Sequence, residues 1–343
     1  MNMQDAIAAV CSRRDLYADE MVQVMRTIMT GEATDAQIGA LLTGLRMKGE
    51  TIDEIVGAAT VMRELSQKVE VPTEFLVDTC GTGGDGANVF NVSTASAFVV
   101  AAAGGRVAKH GNRSVSSKSG SADVLEAAGV RLDLSASQVA HCIETLGVGF
   151  MFAPAHHSAM KHAIGPRKEL GMRTIFNVLG PLTNPAGAPN QVLGVFDESL
   201  LTPLAEVLHR LGSRHVLVVR SEDGLDELSV SAASRVAELK DGRIREYRIK
   251  PQDFDLDLSD RDDLVVETAD ESLAMIRMAL VADDHGASDI VALNAGAAIY
   301  TAGCARSLED GVEAAWEVME SGEALGKLEA LAELTQSLAG DTV

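Results

Sequence analysis

Several features that mark whole classes of protein are missing from this sequence of 343 residues. Its longest apolar run, Ala97–Ala103, is far shorter than the ~18 residues that a membrane-spanning helix needs. The first residues show no basic segment followed by an apolar one, so we expect no signal peptide. Neither a membrane partner nor secretion is therefore predicted.

Cysteine is also scarce, and no Cys-x-x-Cys pair occurs, which argues against a zinc knuckle and against a disulfide framework. Isolated thiols are typical of a reducing compartment, so a cytoplasmic location is expected. The four cysteines lie far apart in the chain, at Cys11, Cys80, Cys142 and Cys304.

Positive charge is in short supply, because 29 lysines and arginines face 50 aspartates and glutamates, a net charge of −21. Such an excess of negative charge disfavours nucleic acid and anionic membrane surfaces as partners. Residues 86–122 are an exception, because they contain no acid. This basic segment indicates a local anion site, although chance clustering on a solvated surface would give the same pattern. Its four basic residues are Arg106, Lys109, Arg113 and Lys118.

Length and periodicity predict two structural parts. At ~150 residues per domain, the chain has room for about two domains. Residues 1–70 are expected to be helical, with capping boxes at Thr34–Gln37 and Thr51–Glu54. Strands and helices then alternate, and the C-terminal part returns to helix. We therefore expect an α/β protein: a small all-helical domain beside a larger α/β domain whose mostly parallel central sheet is flanked by helices.

The individual elements follow from apolar runs and their boundaries. The alternation of Phe254, Leu256 and Leu258 predicts an extended, half-exposed segment. The predicted strands are 75–80, 106–108, 191–196, 215–219 and a hairpin of 236–239 with 244–249. The predicted helices include 93–103, 121–128, 135–147 and 200–211.

A glycine-rich stretch, Gly81–Gly86, directly follows the first predicted strand. Backbone N–H groups in such a turn can surround phosphate oxygens, because no Cβ blocks the approach. The stretch also matches the dinucleotide pattern G-x-G-x-x-G, but the required acid ~20 residues later is missing, so a nicotinamide cofactor is disfavoured. A tight turn that binds nothing is the alternative.

Two further segments suit an anionic ligand. Ser93 or Thr94 is expected to cap the next helix, whose N-terminus would face an anion, although a plain cap is an alternative. The loop 109–121 combines cations, hydroxyls and an amide, a set that fits a diphosphate and ribose hydroxyls.

Two adjacent acids, Asp226 and Glu227, follow the strand predicted at 215–219. They could hold Mg²⁺, which would supply positive charge for a polyanionic substrate, or they could form a solvated acidic turn. Arg167 could grip a carboxylate through its planar fork, unless it is an unpartnered surface residue. His157 and His162 are five positions apart and would not share a helix face, so no zinc site is expected.

Taken together, these residues resemble the anthranilate phosphoribosyltransferase family over most of the chain, from about residue 20 to 335. The motifs that carry the resemblance are Asp78-Thr-Cys-Gly-Thr-Gly-Gly-Asp85, Phe90-Asn-Val-Ser-Thr94, Lys109-His-Gly-Asn-Arg113, Arg167-Lys-Glu-Leu-Gly171, Arg173-Thr-Ile-Phe-Asn177, Gly180-Pro-Leu-Thr-Asn-Pro185 and Gly224-Leu-Asp-Glu227.

The resemblance implies an enzyme that transfers the phosphoribosyl group of phosphoribosyl pyrophosphate to the amine of anthranilate, in tryptophan biosynthesis. It implies Mg²⁺ as cofactor and a homodimer that associates through the helical domain. It also implies a helical domain of residues 1–70 joined by a returning segment near 165–185. Residues 71–164 and 186–343 would form the donor-binding α/β domain.

Site residues carry over by position. Val89 departs from the threonine usual in the family, so a hydroxyl contact to the donor would be lost there. The donor would be held by Gly81, Gly84, Asp85, Val89, Asn91, Val92, Ser93, Thr94, Lys109, His110, Gly111, Asn112, Arg113, Ser114, Val115, Ser116, Ser117 and Ser121. Anthranilate would be placed by Gly81, Asn112 and Arg167 and lined by His110, Ala153, Pro154, His157 and Met160. Magnesium would be organised by Ser93, Asp226 and Glu227.

No residue can be assigned as general base, and the amine could lose its proton after attack. Pyrimidine nucleoside phosphorylases share the implied architecture, but Arg167 and Asn112 favour a benzoate acceptor over a nucleoside. A nucleic-acid-binding paralogue would be expected to be basic and to have lost donor-site motifs. This chain is acidic and retains them.

Overall fold

The computed structural model describes residues 1–113 and 118–340. Its first part is helical, as expected. Thr34 and Thr51 cap the third and fourth helices as their capping boxes predict, since each side chain accepts the N–H of the residue three positions later. The first four helices are α1 (Met3–Cys11), α2 (Ala18–Met29), α3 (Asp35–Lys48) and α4 (Ile52–Leu65).

The strands form a sheet in the order β3-β2-β1-β4-β5-β6-β7. Neighbours from β3 to β5 run parallel, whereas β6 and β7 are antiparallel. The prediction of a mostly parallel sheet is confirmed. The strands are β1 (Leu76–Gly81), β2 (Arg106–Gly111), β3 (Val148–Phe152), β4 (Asn190–Gly194), β5 (His215–Ser221), β6 (Ser234–Lys240) and β7 (Arg243–Ile249).

Helices cover both faces of this sheet. α5 and α13 pack on one face, and α11 joins the other face to α4. None of the helices in the described part of the chain is long and apolar enough to span a membrane. The remaining helices are α5 (Val92–Ala102), α6 (Ser121–Ala127), α7 (Ala136–Leu146), α8 (Ala153–His156), α9 (Lys161–Leu170), α10 (Phe176–Leu179), α11 (Leu201–Arg210), α12 (Ala269–Ala279), α13 (His285–Ala302), α14 (Leu308–Glu320) and α15 (Glu323–Gly340).

The structure differs from the sequence prediction at β3 and near Phe254. β3 was not predicted, because a five-residue apolar run carries no periodicity that separates strand from buried helix. The extended segment expected near Phe254 is wrong: Pro251–Phe254 form a 3₁₀ turn, and Asp255 has φ of +57°. Proline at the first position of the turn presets its φ, which the alternation of apolar residues does not reveal.

The chain returns to the N-terminal helices after β3. α9 packs against α2 and α3, and α10 packs against α4. Ala163, Ile175 and Phe176 belong to the same apolar core as Ile38 and Leu41. Residues far apart in sequence therefore share one hydrophobic core with the N-terminal helices.

Arg63, near the end of α4, stabilises the packing of these segments through side-chain hydrogen bonds. Its Nε donates to the carbonyl of Leu182 at 2.6 Å, and one terminal nitrogen donates to the carbonyl of Leu211 at 3.0 Å. Burial lowers the pKa of Arg63 to about 10, so it stays charged at neutral pH. One side chain thus joins three segments of the chain.

A buried carboxylate connects the first four helices. The side chain of Glu54 is fully buried and accepts the N–H of Leu16 at 2.9 Å and that of Thr51 at 2.8 Å. Its other partner is the ammonium of Lys48 at 3.0 Å, whose side chain is only 4% exposed. Loss of the carboxylate would leave two buried backbone donors without this acceptor and the ammonium with only an exposed carboxylate, Asp15, and one carbonyl, a costly arrangement.

We therefore expect Glu54→Ala to lower the free energy of unfolding by about 3 kcal/mol, the cost of removing one partner of a buried ion pair. Chemical denaturation followed by circular dichroism measures this loss. Glu64→Ala is the matched control: Glu64 lies on the same helix as Glu54, but its ion pair with Arg26 of α2 is exposed, so the midpoint should shift little. Equal shifts for the two variants would contradict this account of Glu54.

Candidate functional site

The sheet order places a crevice at the carboxyl ends of its central strands. From β1 the chain builds β2 and β3 on one side and then returns to β4 on the other side. Where strand order reverses in this way, the loops leave in opposite directions and open a ligand crevice between them. The glycine-rich stretch Gly81–Gly86 follows β1 at this point.

The glycine-rich loop contains backbone N–H groups that donate to no acceptor in the described structure. Gly83, Gly84 and Gly86 have φ of +65°, +79° and +77°, which L side chains rarely adopt. The N–H groups of Gly84, Asp85 and Gly86 find no acceptor among the residues that the structure describes. Successive free N–H groups in a left-handed turn suit an anion.

Asp226 lies directly beneath this loop. Its Oδ2 accepts the N–H of Gly83 at 2.9 Å. A Cβ at Gly81 would lie 2.6 Å from the same oxygen, and a Cβ at Gly194 would overlap the carbonyl of Asp226. Glycine at the ends of β1 and β4 therefore allows the acidic segment to approach.

The carboxylates of Asp85, Asp226 and Glu227 are neighbours beside the glycine-rich loop. Burial, with Asp85 next in importance, raises the pKa of Asp226. Burial, with Asp226 next in importance, raises the pKa of Glu227, while the N–H of Ser93 opposes the rise. No three His, Cys, Asp or Glu side chains within the described ranges converge as a complete metal site. The acids carry a local excess of negative charge that a cation would relieve.

The helix that follows the loop, α5, begins one residue earlier than predicted. Asn91 is its N-cap, so the expectation of Ser93 or Thr94 at that position is wrong. The side chain of Asn91 instead meets Ser119 and Ser272, whose hydroxyls donate to its Oδ1 at 3.0 and 2.8 Å. Ser93 and Thr94 therefore lie in the first turn, where the Thr94 Oγ1 is buried without a partner in the described structure.

Lys109, on β2, points toward the same helix end. Its ammonium donates to the carbonyl of Thr79 at 2.6 Å and to Ser93 Oγ at 3.3 Å. Burial lowers the pKa of Lys109, while Asp78 and other nearby acids favour its charged form. The structure thus brings a buried cation to the segment Asn91–Thr94.

The rest of the basic segment is mostly engaged with acids. Arg113 pairs with Asp123 and Glu126 on α6, and the ammonium of Lys118 lies 2.8 Å from Glu267. The predicted donor residues Ser114, Val115, Ser116 and Ser117 lie outside the described residues. Gly111 is tightly placed, since a Cβ there would collide with the hydroxyl of Ser121. Val89 pairs with Val265 in an isolated antiparallel bridge, and Asn112 is exposed.

Two histidines meet beside the crevice. The rings of His110, on β2, and His157, after α8, lie 5.1 Å apart between centroids. Burial lowers their pKa values, to about 3 for His110 and about 4 for His157. Each has a buried Nε2 without a partner in the described structure. Both imidazoles are therefore neutral at physiological pH, and each keeps one ring nitrogen without a hydrogen-bond partner among the described residues.

Arg167, on α9, is half-buried, and its guanidinium stacks over the ring of Phe176 with 5.0 Å to the centroid. No carboxylate in the described part of the chain pairs with it, and burial lowers its pKa. Met160 lines a small cavity with His157 and residues of α2 and α4. Ala153 is half-buried and Pro154 is exposed, both in the first turn of α8.

Sequence reasoning missed the residue that anchors β1 to its surroundings. Asp78 is fully buried and accepts the N–H of His110 at 3.2 Å and the side-chain amide of Asn184 at 2.7 Å. Asn184 also donates to the carbonyl of Ala108 at 2.8 Å. Both residues belong to motifs of the predicted site, but a polar residue inside a motif gives no sign that its role is to connect strands.

Comparison with known proteins supports the geometry. Residues 4–66 match the model of the glycosyl transferase family, helical bundle domain. Residues 73–325 match that of the glycosyl transferase family, a/b domain.

Whole-chain relatives are also found. The chain is 63% identical over 339 residues to an anthranilate phosphoribosyltransferase of Saccharophagus degradans, covering 98% of this chain and 99% of that protein. The crystal structure of anthranilate phosphoribosyltransferase from Thermus thermophilus is similar with a TM-score of 0.92 and 43% identity, covering 97% and 99% of the two chains. The structure of the Saccharomyces cerevisiae anthranilate phosphoribosyltransferase in complex with PRPP and Mg is similar with a TM-score of 0.88 and 25% identity, covering 98% of each chain.

The two neutral histidines give a direct test of the site's electrostatics. We expect His110 and His157 to remain unprotonated from pH 8 down to pH 5, because their pKa values are about 3 and about 4. Imidazole ¹⁵N chemical shifts, assigned with the variants His110→Gln and His157→Gln, measure the protonation state. A midpoint between pH 6 and 7 for either ring would contradict their burial as neutral groups.

Proposed function

Since the chain belongs to the anthranilate phosphoribosyltransferase family, we propose that it transfers the 5-phosphoribosyl group from phosphoribosyl pyrophosphate to the amine of anthranilate. The products are N-(5-phosphoribosyl)anthranilate and pyrophosphate, in tryptophan biosynthesis. The observation that carries this function is the glycine-rich loop with free N–H groups at the strand-order reversal, flanked by carboxylates on one side and neutral histidines on the other.

The donor is proposed to occupy the crevice between the glycine-rich loop and the start of α5. Its pyrophosphate would accept the free N–H groups of Gly84, Asp85 and Gly86 and face the positive end of the α5 dipole. Lys109 supplies a buried cation at the same helix end. The segment 109–117 and Ser121 are also proposed to bind the donor, as the resemblance implies.

Magnesium fits the donor set. The chain offers carboxylate oxygens at Asp226 and Glu227 and a hydroxyl at Ser93, the hard ligands that Mg²⁺ prefers. It offers too few converging carboxylates in the described residues for a complete metal cage. This agrees with a cation held by one or two acids together with substrate phosphates and water. When bound, Mg²⁺ would neutralise charge that builds up on the leaving pyrophosphate.

Anthranilate is proposed to bind on the opposite side, between β2 and α9. Arg167 has no carboxylate partner of its own in the described structure, so its guanidinium is free to take the carboxylate of the acceptor. His110 and His157 bring buried, uncharged rings to the same region, a neutral surrounding for an aromatic ligand. The further acceptor contacts are proposed at Gly81, Asn112, Ala153, Pro154 and Met160.

The chemistry requires positioning more than proton transfer. Breaking the bond from C1 to the pyrophosphate oxygen puts negative charge on the leaving group, which the backbone N–H groups and Lys109 stabilise. The ribosyl ring of the donor carries the matching positive charge, and Asp85 is proposed to orient the ribose hydroxyls. His110 and His157 have pKa values too low for effective proton acceptors near neutral pH. We assign no general base; the amine is proposed to lose its proton after attack, to water or to the released pyrophosphate.

The assembly is proposed to be a homodimer through the helical part. A groove of about 850 Å³ lies between α1, α3 and α9. Its walls include Val10, Ala40 and Leu170, and Met47 at its rim is 73% exposed. An apolar surface of this kind is covered in most proteins, and the same face of a second copy suits it.

The remaining proposals concern domains and location. Residues 1–70 with the returning segment near 165–185 are proposed as one domain, and residues 71–164 with 186–343 as the donor-binding domain. The packing of α9 and α10 on the N-terminal helices supports this division. A cytoplasmic location is proposed because the cysteines are free thiols, as expected in a reducing compartment.

The acceptor assignment is tested by Arg167→Ala. Loss of a charge-assisted, two-pronged hydrogen bond should raise the anthranilate KM by about tenfold to a hundredfold and leave the KM of the donor nearly unchanged. The decay of anthranilate fluorescence with donor and Mg²⁺ measures both constants. Lys168→Ala, an exposed neighbour on α9, is the control. No decay with folded wild-type protein would overturn the function, and equal effects of both variants would overturn the role of Arg167.

The metal assignment predicts a pH dependence. Because the pKa values of Asp226 and Glu227 are raised, these acids become protonated as pH falls toward 6, and Mg²⁺ must displace the proton. The Mg²⁺ concentration for half-maximal activity should therefore rise by up to about tenfold per pH unit between pH 8 and pH 6.

Titration of Mg²⁺ at three pH values, together with equilibrium dialysis in the presence of pyrophosphate, measures this dependence. Asp226→Asn should flatten it. Asp241→Asn, in the exposed turn between β6 and β7, should behave as wild type. A requirement for Mg²⁺ that is the same at all three pH values would contradict the assignment.

A further inference from the structure

One arginine of the returning segment reaches the glycine-rich loop. Arg173 follows α9 and is exposed, yet its guanidinium donates to the backbone carbonyl of Gly84. The same guanidinium stacks over the ring of Phe196, with 4.0 Å to the centroid. A Cβ at Gly84 would lie 2.9 Å from the terminal nitrogen, so glycine is needed for this approach.

Phe196 also holds the loop from its backbone. Its N–H donates to the hydroxyl of Thr82 at 3.0 Å, while the N–H of Thr82 donates to the carbonyl of Gly194 at 2.9 Å. The next residue, Gly83, is held by Asp226. Three successive loop residues are therefore fixed by three different parts of the chain: the end of β4, the acidic segment after β5, and Arg173.

The hydrogen bond from Arg173 to the Gly84 carbonyl fixes the direction of the next backbone N–H. A trans peptide is planar, and its C=O and N–H point in opposite directions. The N–H of the following residue, Asp85, must therefore point away from Arg173. That N–H is one of the three in the loop that have no acceptor in the described part of the structure.

We propose that Arg173 is a positioning residue for the donor site: clamped between the Phe196 ring and the Gly84 carbonyl, it sets the peptide plane that turns the Asp85 N–H toward the donor's phosphate. This role rests on the proposed function. We assign Arg173 no direct contact with the donor: in the described structure its guanidinium contacts the Phe196 ring and the Gly84 carbonyl, and it acts through the loop. The clamp also links the segment that carries Arg167 to the loop that receives the anion.

Arginine is suited to this role because its planar fork can stack and donate at once. A lysine keeps the charge but can neither stack in the same way nor direct an N–H along the plane. A methionine keeps the length without a donor. The two replacements therefore separate a positioning role from attraction of the anion by charge.

The test compares Arg173→Met, Arg173→Lys and Phe196→Leu with wild type. Arg243→Met, at an exposed position where β7 begins, is the control. Amide hydrogen exchange of the ligand-free protein should be about tenfold faster at Thr82 and Gly83 in the three variants, because the loop loses an anchor. Calorimetry with Mg²⁺ and inorganic pyrophosphate as the probe should show about tenfold weaker binding, the effect of a lost charge-assisted hydrogen bond.

The anthranilate KM should stay within about twofold of wild type, so that the loss falls on the donor side. Recovery of pyrophosphate affinity in Arg173→Lys while exchange at Thr82 and Gly83 stays fast would overturn the proposal in favour of direct contact with the anion, because a lysine that replaced the hydrogen bond to Gly84 would slow exchange as well. Unchanged exchange at Thr82 and Gly83 in Arg173→Met would also overturn it. A wild-type protein that binds pyrophosphate but does not consume anthranilate would instead remove the proposed function, since the exchange measurement needs no substrate.

Discussion

The close approach of Asp226 to the ends of β1 and β4 is the contact on which the site depends. Side chains larger than glycine at Gly81 or Gly194 would push the acidic segment away. With that approach, Asp226 accepts the N–H of Gly83, and Glu227 lies beside the N–H of Ser93 in the first turn of α5. A single short segment thus touches both parts of the chain that are suited to an anion.

The charge of the molecule explains why the proposed donor site would rely on backbone N–H groups. At a net charge of −21, the protein repels an anionic substrate at long range. Arg113 and Lys118 are paired with acids, and Lys109 points inward. In the proposed donor site, attraction would therefore come from oriented N–H groups, a buried ammonium and a helix end, to which a divalent cation would add. The proposed place for that cation is beside the neighbouring carboxylates of Asp226 and Glu227.

The proposed acceptor side has a different physical character. Its histidines are buried and neutral, and its arginine stacks on an aromatic ring and lacks an acidic partner in the described structure. It is built from segments distant in sequence, β2 and the chain around α8 and α9. Arg63 ties the same region to α4 and α11, and Asp78 ties β1 to Asn184. Hydrogen bonds of buried polar side chains, in addition to apolar contacts, therefore fix the two sides of the crevice relative to each other.

Much of this could be predicted from the sequence. Capping boxes at Thr34 and Thr51 predicted two helix starts, and the alternation of strands and helices predicted the mostly parallel sheet. These signals are local, so a short window of residues is enough to show them. The motifs also predicted an anion site beside acids. The misplaced cap at Ser93 or Thr94 shows the limit, because Asn91 takes that position while its side chain bonds to Ser119 and Ser272.

By itself, the sequence determined the helix starts that have capping boxes, the type of sheet, the family and the residue types available for chemistry. Only the tertiary structure decided which of these residues meet. The sheet order brings β1 beside β4, and the chain's return places Arg173 on Gly84. Burial then made two histidines neutral and raised the pKa values of two acids. The physical reason is that desolvation and long-range contacts depend on neighbours brought together by folding, which no local pattern of residues records.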